Sequence, residues 1–481
     1  LRLHDNTAFH HALAAAKEDG GVCIPFFCFD REILDLLHDK NDRRVDFIHQ
    51  SLKEMDSALQ ELGSGLVVRY GKASEVLPAL LAELAKKGLR AVFTNHDYEP
   101  KRIERDNAVR AAGKKIGVDF HSFKDHVVFE KDEVLTQAGT PHRVYTPYKN
   151  AWYKHLETEP TALRTMKTTD SFAEQLATAR VLPKSDAWEK LEDIGFVKSD
   201  LRYPGGTSHG KKQFTAFLKR IDSYKDHRDF PGVEGISRLS VHLRFGTVSI
   251  RELFTAALKR KTVGARKWAD ELVWREFYNQ ILHHFPRTQN HAFRADFENI
   301  VWDDEKKYAK AKARFEAWCE GRTGYPIVDA AMRELNTTGF MHNRCRMIVA
   351  SFLTKDLHIH WKAGERYFAR KLLDYDLSQN LGGWQWAAST GADGQPYFRI
   401  FNPVSQGETW DPEGTYVRAY CPELAKLSNK LIHRPWEADL FDENDIGNIY
   451  PKRIVDHDTE RTEALNRFRI VAKGLEEPLE R

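Results

Sequence analysis

Apolar runs and helical-period stretches alternate over roughly the first 130 residues. GVCIPFFCF (21–29), LVVRY (66–70), AVFTN (91–95) and VDFHSF (118–123) read as strands. Between them, about 43–63, SEVLPALLAELAKK (74–87) and PKRIERDNAVRAAGKKIG (100–117) carry the spacing of helices. The alternation predicts a Rossmann-like α/β domain over 1–130, with a parallel sheet covered by helices. From about 154 to 200 the periodicity fades into stretches such as TEPTALRTMKTTDSF, so 131–206 is predicted to be an interdomain linker. Helical spacing then dominates, which predicts an all-α domain over 207–481.

Within that second domain, KWADELVWREFYNQILHHF (267–285) sets Glu271, Trp274, Arg275, Tyr278 and Leu282 at helical intervals, as if on one face. GFMHNRCRMIVASFLTKDL (339–357) reads as a second amphipathic helix. DYDLSQNLGGWQWAASTGADGQPYFRIFNP (374–403) fits neither pattern. Its glycines and aromatics interrupt a plain helix, and it lacks strand alternation, so it is predicted to wrap a ligand.

The 481 residues suffice for two or more domains. A net charge of +3 rules out a polycation, so an anionic partner must meet a local patch. That patch lies in 339–371, where seven basic residues face two acids. The five cysteines form no CxxC pair, and no histidines stand in an HExxH frame. The chain is therefore expected to be reduced and intracellular, without a structural metal. No apolar run is long enough for a membrane span, and no signal peptide is visible. Neither GxGxxG nor a P-loop follows a strand.

Three constellations carry chemistry. Glu271, Trp274 and Arg275 read either as a surface ion pair beside a core tryptophan or as a pocket stacking a planar ligand. GISRLS (235–240) reads as a helix cap with a nearby Arg or as a pyrophosphate-holding turn. HNRCR (342–346) reads as a solvated charged face or as a phosphate contact. In 374–403, Asp374, Asp376 and Asn380 beside Trp384 and Trp386, with Gln406 following, suit a heterocycle with N–H and C=O edges.

GRTGYPIVDAAMRELNTTGFMHNRCRM (321–347), WREF (274–277) and DLSQNLGGWQWAASTGADGQPYFRIFNP (376–403) resemble the photolyase/cryptochrome family, most closely the class I cyclobutane pyrimidine dimer photolyases. The resemblance runs from LRLHDN through RVYTPYKNAW to VSQGETWDPEG. It implies an α/β antenna domain followed by an all-α domain holding FAD. Tyr224, Ser237, Arg238, Leu239, Ser240 and Trp268 would line the FAD. Asp374 and Asp376 would face its ring and ribose, Asn380 would sit near flavin N5, and Arg346 would pair with Asp374. Trp274 and Trp386 would hold a flipped-out lesion contacted by Glu271, Asn343 and Met347. Arg228, Arg275, Arg344 and Gln406 would touch DNA. Trp384 and Trp361 would begin the electron chain that photoreduces the flavin.

The implied activity is light-driven repair of pyrimidine dimers in UV-damaged DNA, by electron transfer from reduced FAD. The alternative is a cryptochrome-type blue-light sensor. A monomer without an obligatory protein partner is expected, in the cytoplasm or, in a bacterium, on the nucleoid. The chain departs from the family pattern in four places. It lacks the short strand that normally precedes LRLHDN. Ile236 stands where a threonine is usual. Tyr308 replaces the outer tryptophan of the electron chain. YEPKRIERD (98–106) lacks the Asn-Glu pair of folate-binding relatives, which leaves methenyltetrahydrofolate, 8-hydroxy-5-deazaflavin or no antenna open.

Overall fold

Four short strands form where the apolar runs predict them, each shifted by five residues or fewer at its start. In the computed structural model, which describes residues 1–440 and 449–472, β1 (Phe26–Asp30) pairs in parallel with β2 (Val67–Gly71). β3 (Ala91–Asn95) pairs in parallel with β4 (Asp119–Phe123). Among the described residues these remain two separate two-stranded sheets rather than one continuous sheet. β1 starts later than GVCIPFFCF suggests because Pro25 interrupts the run. Cys23 instead exchanges backbone bonds with the segment at Gln175–Ala177.

The chain forms two compact units that do not follow chain order. The first holds Leu1–Pro141, Pro147–Lys219 and Ser237–His283; the second holds His142–Thr146, Arg220–Ile236 and His284–Arg481. Most of the stretch read as a linker belongs to the first unit, and its scattered apolar residues enter that unit's core. Leu176, Trp188, Leu191, Ile194 and Phe196 pack with Leu13, Phe29, Leu52 and Val68 in one core. Asp186 N–H donates to Val68 C=O at 3.0 Å, so the segment lies against β2 like an irregular strand. Its apolar residues are too irregularly spaced to announce this from sequence. A second small core, Leu81, Val92, Val109 and Val118, holds the β3–β4 pair to its helices.

A group of four buried charges lies in the same unit. The guanidinium of Arg2 meets Asp125 at 2.9 Å, and that of Arg251 meets Asp125 at 2.8 Å and Asp5 at 2.9 Å. Ser249 Oγ–H also donates to Asp5, and Thr7 N–H donates to Asp125 at 3.1 Å. Burial pushes the Asp125 carboxyl up, but Arg2, Arg251 and Thr7 overcome it and hold the group at about 2.

The second unit is helical. Pro326–Thr338, Asn343–Ser351, Trp361–Lys371 and Leu377–Ala387 surround a core that includes Trp318, Met332, Leu335, Phe352, Phe368 and Trp384. The predicted helix over 339–357 is shorter and changes pitch. Gly339, at φ 71°, ends the preceding helix, and Phe352–Asp356 is a turn of π-helix. At Gly364 a Cβ atom would lie 2.1 Å from Trp384 Cη2, so the approach of the last two helices requires glycine.

Arg251→Met, which leaves buried Asp5 without a guanidinium and Asp125 with Arg2 alone, is expected to lower the unfolding free energy by about 3–5 kcal/mol in a urea titration. The native protein binds its Asp125 proton only near pH 2, whereas the unfolded chain binds it near the ordinary 3.8. This contribution is therefore intact above about pH 4 and lost as pH falls towards about 2, and acid titration of the melting temperature checks it.

Candidate functional site

In the first unit the Val263–His284 helix is buried on most of its surface. Glu271, Trp274 and Tyr278 form a half-exposed stripe along it. Lys267 Nζ reaches Glu271 at 3.0 Å, and the Trp274 and Tyr278 rings lie 5.5 Å apart. Arg275 and Leu282, expected on the same face, are buried. One residue is 100° of helix, so Arg275 points away from Trp274. It donates to His126 C=O at 2.6 Å and also meets the His126 ring. An outward Arg275 beside Trp274 is thus corrected to an inward one that grips the His126 backbone.

Sequence reading missed the next residue. Glu276 is 1% exposed and accepts from Val128 N–H at 2.5 Å, Phe129 N–H at 3.2 Å and Trp152 Nε1–H at 2.5 Å. Arg275 and Glu276 together hold the backbone of 126–129 against this helix. Burial pushes the Glu276 carboxyl up to about 7, against the pull of those three donors and of Arg275. The available signal was a carboxylate on the apolar side of the helix, between Val273 and Phe277.

Of the GISRLS turn, Ser237–Ser240 lie in the first unit. Arg238 adopts a left-handed φ of 53°, and its guanidinium donates to Tyr203 Oη at 2.8 Å. Ser237 C=O accepts from Gln213 at 2.9 Å. Leu239 is buried, while Ser240 opens the Ser240–Phe245 helix and is exposed. Trp268 is buried, with its ring 5.0 Å from Phe217 and 5.9 Å from Phe214.

In the second unit the 374–403 stretch contains a helix, Leu377–Ala387, which overturns the expectation from its glycines and aromatics. Asp376 caps it, accepting from Ser378 N–H at 3.1 Å and Gln379 N–H at 3.3 Å. Packing of Leu381 and Trp384 outweighs the low propensity of Gly382 and Gly383. The WQW sequence sends three side chains in three directions. Trp384 is 2% exposed against Phe368 and Trp318. Gln385 is bonded to Thr288 C=O, His291 C=O and Phe293 N–H. Trp386 is half-buried. Gln385, a second residue that the sequence did not single out, pins this helix to 288–293.

In the second unit the predicted residues group in four places. Arg346 binds both oxygens of Asp374, at 2.8 and 3.1 Å. The Asn380 amide donates to Glu365 Oε1 at 2.9 Å, and burial raises the Glu365 carboxyl. Arg228, Arg344 and Gln406 gather near Asp229 and Trp410. Arg344 meets Asp229 at 2.8 Å and lies 4.2 Å over the Trp410 ring, Gln406 Oε1 accepts from Trp410 at 3.2 Å, and Arg228 lies 3.8 Å from Asp229 and over Tyr224. Asn343 and Met347 adjoin on one exposed helix side, 3.8 Å apart. Trp361 is buried.

The second unit's residues fit a flavin. A guanidinium, two carboxylates and an amide converge on one helix start. That donor and acceptor set suits the hydrogen-bonding edge of a planar ring.

A family model for DNA photolyase matches residues 1–166, and one for the FAD binding domain of DNA photolyase matches residues 268–470. A deoxyribodipyrimidine photo-lyase of Halobacterium salinarum is 38% identical over 97% of this chain and 97% of its own length. That of Escherichia coli is 36% identical over 98% of each. Among solved structures, a class III photolyase from Agrobacterium tumefaciens matches with a TM-score of 0.84 at 34% identity, covering 98% of this chain and 96% of its own. A cryptochrome of Synechocystis matches with a TM-score of 0.83 at 25% identity, covering 97% and 96%. The chain belongs to the DNA photolyase family, and its FAD-binding domain includes the helices that carry Trp268, Trp274 and Asp376.

The folded Glu276 carboxyl sits above its ordinary 4.5, so its contribution to stability is full below about pH 4.5 and falls as pH rises to about 7. Glu276→Gln is expected to flatten the slope of melting temperature against pH across that window; an unchanged slope assigns the slope to another group.

Proposed function

We propose that this chain repairs cyclobutane pyrimidine dimers in DNA under blue light, as a photo-lyase. Full-length relatives named deoxyribodipyrimidine photo-lyase support the reaction class. The observation that carries the site assignment is the partly exposed Glu271–Trp274–Tyr278 stripe on a mostly buried helix, which sets an acid and two aromatic rings side by side.

Ser237, Arg238, Leu239, Ser240 and Trp268, with Tyr224, Arg346, Asp374, Asp376 and Asn380, are proposed to hold FAD. Bound and reduced, FAD supplies the photoexcited electron that opens the dimer's cyclobutane ring, and the electron then returns. The residues supply position and electrostatics. Trp274 and Trp386 stack the extruded dimer, at roughly 1–3 kcal/mol per base. A dimer stacks poorly in the duplex, so flipping it out costs less than flipping a normal pair. Glu271, Asn343 and Met347 contact its bases and fix its orientation. Arg228, Arg344 and Gln406 contact phosphates, giving sequence-independent, salt-sensitive affinity. Arg275 is assigned a positioning role through His126. Trp384 and Trp361 are proposed to carry the electron that reduces the flavin.

The first unit is proposed to bind an antenna, methenyltetrahydrofolate or 8-hydroxy-5-deazaflavin, which an absorption spectrum of the purified protein separates. The protein is proposed to act as an intracellular monomer; no helix among the described residues is long and apolar enough to cross a membrane. The 25% identical cryptochrome fold supports a second reading, a blue-light sensor.

Purified protein with reduced FAD is expected to restore thymine-dimer DNA under blue light; binding without light-dependent restoration overturns the enzyme reading and favours the sensor. Glu271→Ala is expected to lower repair yield about tenfold or more with less than threefold loss of DNA affinity. Equal losses in the two assays contradict its role at the dimer.

A further inference from the structure

The GISRLS turn departs from the ordinary at two positions. Ile236 brings no hydroxyl to it, and Arg238 holds a left-handed φ of 53°. That backbone region disfavours a long side chain, so the surroundings must hold Arg238 in it. Tyr203 supplies a partner. Arg238 Nη1–H donates to Tyr203 Oη at 2.8 Å, and the guanidinium carbon lies 6.0 Å from the centre of the ring. A guanidinium is a planar fork of five N–H donors, so fixing one edge fixes the direction of the others. The phenol is neutral, so it orients the cation without cancelling its charge. A carboxylate in the same place would compete with an anionic ligand.

Tyr203 is itself set in a firm frame. Before it in the chain, Ser199 N–H and Oγ–H donate to Asp46 at 2.9 and 2.8 Å. After it, Gly205 N–H donates to Gln50 Oε1 at 3.1 Å and Gly206 N–H to Ser51 Oγ at 2.9 Å. All three acceptor residues lie on the Arg43–Glu61 helix. At Gly205 a Cβ atom would overlap Phe47 C=O, so the segment lies directly on that helix's backbone. The next helix, Thr207–Leu218, carries Gln213, whose amide donates to Ser237 C=O at 2.9 Å. The turn is thus gripped twice from the 199–218 stretch, by its backbone at Ser237 and by the side chain of Arg238.

We propose that Tyr203 is a positioning residue that aims Arg238 at the pyrophosphate of FAD, giving through a guanidinium the phosphate contact that Ile236 cannot give. This rests on the proposed FAD-holding role of the turn. Tyr203 touches no reacting group and acts only through Arg238.

Release of FAD from the holoprotein, followed by the rise in free-flavin fluorescence, tests the assignment. Tyr203→Phe, which removes the hydroxyl alone, is expected to speed release about five- to tenfold. Arg238→Gln is expected to speed it at least as much, and the double variant no more than Arg238→Gln does. Contact between a guanidinium and a pyrophosphate is ionic, so wild-type release quickens with added NaCl, and this salt slope is expected to be shallower in both single variants. A general loss of stability shifts the rates without changing that slope. Unchanged release or an unchanged slope in Tyr203→Phe, or additive effects in the double variant, overturns the proposal. If Arg238→Gln alone leaves release unaltered, the FAD reading of the turn falls instead.

Discussion

The first unit depends on a bargain between four charges and no water. Arg2, Asp5, Asp125 and Arg251 are each less than a tenth exposed, and each has lost most of the hydration that stabilises it in the unfolded chain. Only complete mutual pairing offsets that loss, so the arrangement tolerates little displacement. It joins the chain start, the segment after β4 and the Ile250–Arg260 helix. The immediately following backbone, 126–129, is thereby presented to Arg275 and Glu276, and they in turn set the rotation of the helix carrying Glu271 and Trp274. A charge cluster remote from any reacting group thus reaches the proposed lesion contacts through two short connections within one unit.

The two helices that bear the proposed chemistry use the same device. Each turns one aromatic outward and anchors its neighbour with a polar side chain. On the first, Trp274 is half-exposed while Arg275 and Glu276 bind backbone. On the second, Trp386 is half-exposed while Gln385 binds three backbone groups of 288–293. A ring meant to stack on a partner gains most when it loses little freedom in doing so. Backbone anchors limit the helix's freedom to roll, and therefore the ring's.

Much of the strand framework was legible in the sequence, because β-branched and aromatic runs bounded by polar turns have few alternatives at that length. The longer helices between the strands were legible too, but Thr7–Glu18 and Tyr145–Thr158 were not singled out, and at Leu377–Ala387 Gly382, Gly383 and two tryptophans argued against a helix. There the local signal lost to the Asp376 cap and to burial of Leu381 and Trp384. Periodicity also misplaced Arg275. A spacing of i, i+3, i+4 admits residues up to 100° apart, and only the partner at His126 decides which way such a residue turns. The gathering of Arg228, Arg344 and Gln406 around Asp229 and Trp410 joins residues far apart in the chain, which no local pattern encodes; the family resemblance alone suggested it. The packing of Leu176, Trp188, Leu191, Ile194 and Phe196 into the first unit's core was illegible for the same reason.

Gly364 and Trp384 hold one more implication. With the indole edge set so close to a backbone Cα that even a methyl group cannot intervene, the ring has no room to tilt. On the proposed electron path, a ring that cannot tilt has few nuclear coordinates to rearrange when it gains or loses charge. Its apolar surroundings, Phe368 and Trp318 among them, carry few dipoles that must turn, so the reorganisation energy is small. The single missing side chain is thus a kinetic parameter as much as a packing detail.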